Sequence, residues 1–364
     1  MMILTVSKKN QHLFFSTRHI FFNNFVLMDS ISQFVLGASV SEVSIGKKIG
    51  NKALIWGGLI GTLPDLDVIP GSYMLPLDSI EFHRGPTHSL FFCFLCALPF
   101  AKIIQWFHKK SNLSFKEAYW SCFFIFFTHA ILDMCTTWGT KFLWPISDIA
   151  VAWQIIFVVD PIYTVPFLII LLIILFIKKE SLFRRKLNYG VLVFTSIYLT
   201  LNIFIKTSQH HSFNNYLNKH SKENILTLSS RPAPLTNLLW TANAQTENTH
   251  LIAYKSVFEG YEKIEHLSLD KNHSLRLKWK DQSQFKQLVK ISQNQYYLKP
   301  HPKGIIFCDL RFGLASAWAL EGNEFVFSYL LKGKPSDSYV EVVKKEPSFK
   351  NRKDILKTLI DRIL

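Results

Sequence analysis

Charge is scarce in this chain. Only 18% of its 364 residues are Asp, Glu, Lys or Arg, against about 25% in an ordinary soluble domain. Acid is scarcer than base, 26 residues against 41, which leaves a net charge of +15. Cysteine is scarce too, and four of the five sit in or beside apolar runs. Cys93 and Cys96 form a CxxC inside LFFCFLCALPF, where a packed thiol fits better than a zinc or redox pair, which wants polar surroundings. These shortages exclude a disulfide framework. With 49% hydrophobic and 15% aromatic residues and a mean hydropathy of +0.16, disorder is excluded and a purely soluble protein is disfavoured. A small-residue cleavage site is also missing from residues 1–27, so this apolar, Arg- and Asn-broken stretch reads first as an extension ahead of Met28, with a signal peptide as the alternative.

Length suggests two domains, and the apolar residues divide unevenly between them. Hydropathy marks four clear spans, at residues 89–107, 118–135, 162–177 and 189–205. Each approaches the roughly 20 residues that cross a bilayer core. Two weaker, Gly-rich apolar segments precede them, at 31–45 and 53–63. Tilted spans, a re-entrant pair, or helices packed inside the bundle would all suit these. The expected architecture is therefore a membrane α-helical bundle over residues 28–206 and a small soluble α+β domain over 207–364.

Basic residues crowd three links: Lys47, Lys48 and Lys52; residues 108–116; and residues 178–186. If the spans alternate, all three lie on one side, and the positive-inside rule makes that side cytoplasmic. The opposite side then receives residues 64–88, 134–161 and the whole tail. Because loops and a diffuse tail account for the positive charge, no nucleic-acid partner is expected.

The polar residues of the membrane half gather on that opposite side. Asp65 and Asp67 follow Pro64 in a turn; His83, Arg84, Thr87 and His88 straddle a Gly-Pro break; His129 and Asp133 stand four apart, on one helix face; Asp160 opens a further span. Singly each has an ordinary use as a cap, turn or structural residue. Together they are costly in a membrane and mark function there. Carboxylate and imidazole form the donor set of hydrolytic zinc, manganese or iron sites. Asp65, Asp67, His83, His88, His129 and Asp133 are expected as ligands, with Glu42 and Asp160 as further candidates. Glu42 would otherwise pair with Lys47 or Lys48. Asp67, or Asp65, would act as proton acceptor. Arg84 would hold the anionic part of a substrate or neutralise Asp65 or Glu81, and Thr87 would add a hydroxyl to the site. Asp160 would orient an imidazole.

Five ordered motifs carry a family resemblance: GTLPDLD (61–67), HRGPTHS (83–89), THAILD (128–133), WGTKFLWP (138–145) and VAWQIIFVVDP (151–161). Together with Met28–Gln33, Gly37-Ala38 and Glu42, they resemble the YdjM-like family of membrane-bound, predicted metal-dependent hydrolases. RPAPLTNLLW (231–240) and DLRFG (309–313) extend the likeness more faintly into the tail. Thr87 stands where the common motif has Ser, keeping the hydroxyl. The family resembles, at a distance, zinc-dependent phospholipases C and single-strand nucleases. That likeness implies His129 and Asp133 as leading ligands, with Asp65 or Asp67 and His83 next. It implies an inner-membrane, multi-pass hydrolase of a lipid or phosphoester substrate, using a divalent metal, with its tail outside the cytoplasm. A non-catalytic envelope scaffold is the alternative. A transporter fits less well, since the ionisable residues crowd one face.

In the tail, strands are expected near residues 250–258, 286–292, 304–310 and 324–331, between turn signals at 259–260, 300–302, 321–323 and 333–335. A small mixed sheet and a C-terminal helix near 352–364 would follow.

Overall fold

Residues 20–315, 324–347 and 355–364 are described, in a computed structural model. Residues 1–19, which hold most of the expected extension, and the turn expected at 321–323 lie outside them.

The bundle opens with a helical hairpin. Helix α1 (Ile20–Ile49) meets α2 (Asn51–Thr62) through Gly50, whose φ of 61° suits a residue without a side chain. The Gly content that weakens the hydropathy here allows backbone contact. A Cβ on Gly57 would lie 2.2 Å from the Gly37 carbonyl oxygen, and one on Gly61 would lie 2.7 Å from that of Gln33. This is the small-residue packing that brings membrane helices together. The first weak segment is thus the middle of a 30-residue helix, not a short re-entrant element.

Beyond α2 come a 3-10 turn (Pro64–Asp67), α3 (Val68–Gly71), α4 (Pro76–Phe82) and a second 3-10 turn (Pro86–His88). Helices α5 (Leu90–Phe107) and α6 (Phe115–Met134) follow, then a long loop, α7 (Pro161–Leu175) and α8 (Leu182–His220). Ser89 caps α5, and Ser114 with Glu117 forms a capping box on α6.

Among the described residues, three stretches are long and apolar enough to cross a membrane: Asn51–Gly71, Leu90–Phe107 and Leu182–His220. Two of the expected four coincide with these, 89–107 with the second and 189–205 within the third, and the other two do not. Residues 162–177 become the 15-residue α7, which is apolar but short. Residues 118–135 become α6, with His129 and Asp133 on its inner side, packed among α1, α2 and α5. Its neighbours shield it, so it needs no all-round apolar surface. The outward faces of α5, α7 and α8 expose Phe91, Leu95, Leu172, Ile197 and Phe204, an apolar belt of the kind that meets a partner or a membrane.

The three basic links meet at one end of the bundle. Lys48 Nζ lies 2.6 Å from Glu117 Oε2, and Lys179 Nζ donates to the Lys48 carbonyl at 3.2 Å. Trp56 Nε1 donates to His108 Nε2 at 2.9 Å.

The tail holds two antiparallel meanders, not one mixed sheet. β1 (Thr227–Pro232), β2 (Leu239–Gln245), β3 (Thr249–Ser256) and β4 (Glu265–Asp270) form the first, and β5 (Tyr296–His301), β6 (Gly304–Leu314), β7 (Phe325–Lys332) and β8 (Glu341–Lys345) form the second. Ile252 and Tyr254 pack against Leu310, Leu314 and Phe325 across the seam, with Leu359 and Ile363 of the last helix. The strand expected at 286–292 is instead helical, because Phe285 and Leu288 are buried at a three-residue interval. Helices α9 (His273–Trp279) and α10 (Ser283–Ile291) separate the sheets, and α11 (Ile355–Ile363) closes the chain. Helix α8 runs unbroken past residue 206, and its Phe213 and Leu217 pack beneath Trp240 of the first sheet.

Candidate metal centre

The site lies at the end of the bundle away from the basic links. Helix α6 places His129 and Asp133 one turn apart, with Nε2 3.7 Å from Oδ2. Pro64 starts the 3-10 turn that sends Asp65 and Asp67 to different partners. Asp65 Oδ1 lies 3.3 Å from His88 Nε2 and 3.7 Å from His129 Nε2. His88 Nε2 is also 3.1 Å from Asp133 Oδ2. Asp65, His88, His129 and Asp133 thus each offer a ligand atom, all within 4.8 Å of one another, and all four are buried.

Both imidazoles turn the same nitrogen inward. His129 Nδ1 donates to the Gly61 carbonyl at 2.7 Å. Thr87 Oγ1 donates to Asp67 Oδ2 at 2.9 Å, so it accepts from His88 Nδ1, also at 2.9 Å. Each Nε2 then keeps its lone pair for the cluster. Asp65 Oδ2 and His129 Nε2 are buried without a hydrogen-bond partner. Buried orphans of this kind cost about 1–3 kcal/mol each, and a divalent cation would satisfy both. The donor set and its unmet valences fit such an ion.

Asp133 is held from several sides. Gln33 Nε2 of α1 donates to its Oδ1 at 2.8 Å, and Arg84 Nε lies 3.1 Å from its Oδ2. Arg84 sits at φ 59° and donates Nη1 to Thr136 Oγ1 at 2.7 Å. It therefore meets Asp133, not Asp65 or Glu81. Gln33 and Thr136 escaped the sequence reading as site residues. The signal for Gln33 was weak, since the amide follows Asp29, Ser30 and Ser32 instead of standing alone in an apolar run.

The other expected ligands stand elsewhere. His83 and Asp67 pair one layer outward, Nδ1 to Oδ1 2.7 Å, and neither belongs to the four-residue group. The His83 ring meets Trp138 edge-on at 5.8 Å between centroids. Glu42 is taken by Arg184, with Nε–Oε1 at 2.6 Å and Nη2–Oε2 at 2.7 Å, and not by Lys47 or Lys48. Asp160 caps α7, accepting from Ile162 N at 2.8 Å and from Tyr198 Oη at 2.7 Å, so it touches no ligand imidazole.

The tail roofs this region. Trp138 packs on Phe312 and Phe327, and Arg311 Nη1 donates to its carbonyl at 3.2 Å. Glu81 pairs with Lys290, which draws the Glu81 carboxyl below its ordinary range and raises the Lys290 ammonium.

No solved structure matches the chain. The inner membrane protein YbcI of Escherichia coli (strain K12) is 32% identical over 125 residues, 31% of this chain and 67% of that protein. Residues 28–210 match the YdjM inner membrane protein family, an interval holding most of the hairpin, the four clustered residues and the basic links. The chain belongs to that family.

Proposed function

We propose that the chain is a membrane-embedded, metal-dependent hydrolase that cleaves a phosphoester or other ester bond in a lipid or envelope substrate. The observation that carries this reading is the buried Asp65–His88–His129–Asp133 group, with its orphaned Asp65 Oδ2 and His129 Nε2. A bound divalent ion, zinc or else manganese or iron, supplies Lewis acidity and acidifies water. The chain supplies the rest. Asp67 Oδ1 takes up a proton, and His83 Nδ1, 2.7 Å away with its side chain 14% exposed, carries it outward. Thr87 holds His88 in the required tautomer. Arg84 brings positive charge beside Asp133, where an anionic substrate oxygen would be neutralised. Residues 28–206 form the reacting bundle and 207–364 its outer domain. The basic links at the far end support an orientation with the site and tail outside the cytoplasm.

A second reading rests on the closure of the site. His88, His129 and Asp133 are at most 1% exposed, as in structural metal sites, which leave no open position. The ion would then brace a non-catalytic scaffold.

Metal analysis of the purified protein, with and without His129→Ala, tests both. Stoichiometric metal lost in the variant supports the centre; no metal in either overturns it. Cleavage of a chromogenic phosphodiester by the wild type alone supports the hydrolase, and metal without turnover across ester substrates favours the scaffold.

A further inference from the structure

The seam between the two tail sheets opens at one end into a cavity of about 250 Å³. The first sheet contributes Gln245 and His250, which face each other across β2 and β3. The second contributes Tyr296 and Tyr297 at the start of β5. Lys271 and Arg276 reach in from the link and helix that follow β4. No residue of this lining belongs to the metal centre.

The lining is cationic and partly unmet. Lys271 Nζ is anchored on the Thr246 carbonyl at 2.6 Å, which fixes its charge at the cavity wall. No carboxylate pairs with Arg276 among the described residues. His250 is 6% exposed, and its Nδ1 has no hydrogen-bond partner. Burial, with Lys271 and His273 nearby, pushes its pKa down to about 3, so the ring is neutral at working pH. It can therefore donate or accept without adding charge. The two tyrosine rings offer carbon surface beside these polar groups. One ammonium, one guanidinium and a spare neutral imidazole nitrogen match a dianionic oxyanion with several acceptor oxygens. The volume lies below the usual range for larger organic ligands, so the carbon body must be small.

We propose that this cavity binds a phosphate monoester with a small carbon body, held by Lys271, Arg276 and His250. The same chemistry is offered by a soluble phosphorylated metabolite and by the exposed phosphate of an anionic lipid.

The test uses the full chain in nanodiscs of phosphatidylcholine, titrated calorimetrically with glycerol 3-phosphate. Saturable binding is expected, with glycerol alone giving none. Arg276→Gln and Lys271→Met should each weaken it about tenfold or more, as loss of one charged hydrogen bond implies. Lys280→Gln, exposed and outside the lining, should leave it unchanged. Arg276 is itself exposed, so an unaltered melting temperature is expected in that variant. Repeating the titration in discs containing phosphatidic acid separates the sources. Suppressed binding there assigns the site to lipid phosphate, and unchanged binding assigns it to the soluble ester. No binding up to millimolar ester, equal binding of glycerol, or affinity indifferent to both substitutions overturns the proposal.

Discussion

Arg184 forks onto Glu42 across 142 positions of sequence, with both prongs at 2.6–2.7 Å and both side chains buried. The same guanidinium also donates Nη1 to Asn51 Oδ1 and to the Ile174 and Ile177 carbonyls. It thereby ties α1, α2, α7 and α8 together just inside the basic end. Removing one partner would strand a buried charge, at about 3–5 kcal/mol. Arg184→Met should therefore lower the melting temperature sharply, and Glu42→Gln added to it should restore much of the loss. A double variant no more stable than the single one would show that the ion pair is not the main tie.

The hydroxyl of Thr87 links Asp67 to His88 and so determines which nitrogen of His88 faces the cluster. Thr87→Ser should keep metal affinity, and Thr87→Ala should lower it about 10- to 100-fold, the usual effect of removing such an orienting group. Competition against a fluorescent chelator measures both. Equal affinities would mean that the cluster orients His88 unaided.

The contact between Gly37 and Gly57 leaves no room for a methyl group. Gly57→Ala must push α1 and α2 apart, since the atom it meets is backbone. Overpacking of this kind costs about 1–3 kcal/mol. Gly190→Ala, with open space around it inside α8, is the matched control and should gain up to about 1 kcal/mol from helix propensity. Thermal unfolding in one detergent compares the two.

Membrane sidedness can be read from single cysteines in a cysteine-free background. Lys110→Cys and Ser283→Cys both lie at exposed positions, one at the basic end and one in the tail. An impermeant maleimide added to intact cells should label the second and miss the first. The reverse pattern would invert the orientation.

His250 makes a pH prediction. Its folded pKa near 3 lies below the ordinary 6.5, so below about pH 6.5 the unfolded chain binds a proton that the folded chain refuses. Tail stability should fall as pH drops from 6.5 toward 3, and His250→Gln should flatten that slope. The imidazole resonance of His250 should stay neutral in NMR titration down to about pH 4. A midpoint near 6.5 would contradict its burial.

Much of the buried Asp–His cluster was legible because the membrane makes polar residues costly. Asp65, His88, His129 and Asp133 stood out against apolar surroundings, and the four-residue spacing on α6 placed two of them on one face. His83 and Asp67 carried the same signal, yet they pair with each other. Composition cannot distinguish a ligand from the residue that supports it. Glu42 and Asp160 went astray for another reason: their partners, Arg184 and Tyr198, are remote in sequence. The tail was read less well. Apolar runs located β3, β6 and β7, but pairing order is not a compositional property, and two meanders took the place of one sheet. The run at 286–292 was too short for its period to separate strand from helix.

Helix α8 has 39 residues, which makes it about 58 Å long. The hydrocarbon layer is only about 30 Å thick. A helix of that length that crosses the layer leaves roughly half of itself clear of the lipid, and Phe213 and Leu217 lie in its C-terminal half. The tail is mounted on a mast without a joint. Its bearing over the bundle follows from that helix together with the Glu81–Lys290 pair and the Arg311–Trp138 contact. A hinge cut into that mast, such as a Pro-Gly pair at residues 207–208, would leave those two contacts to hold the tail over the buried Asp–His group.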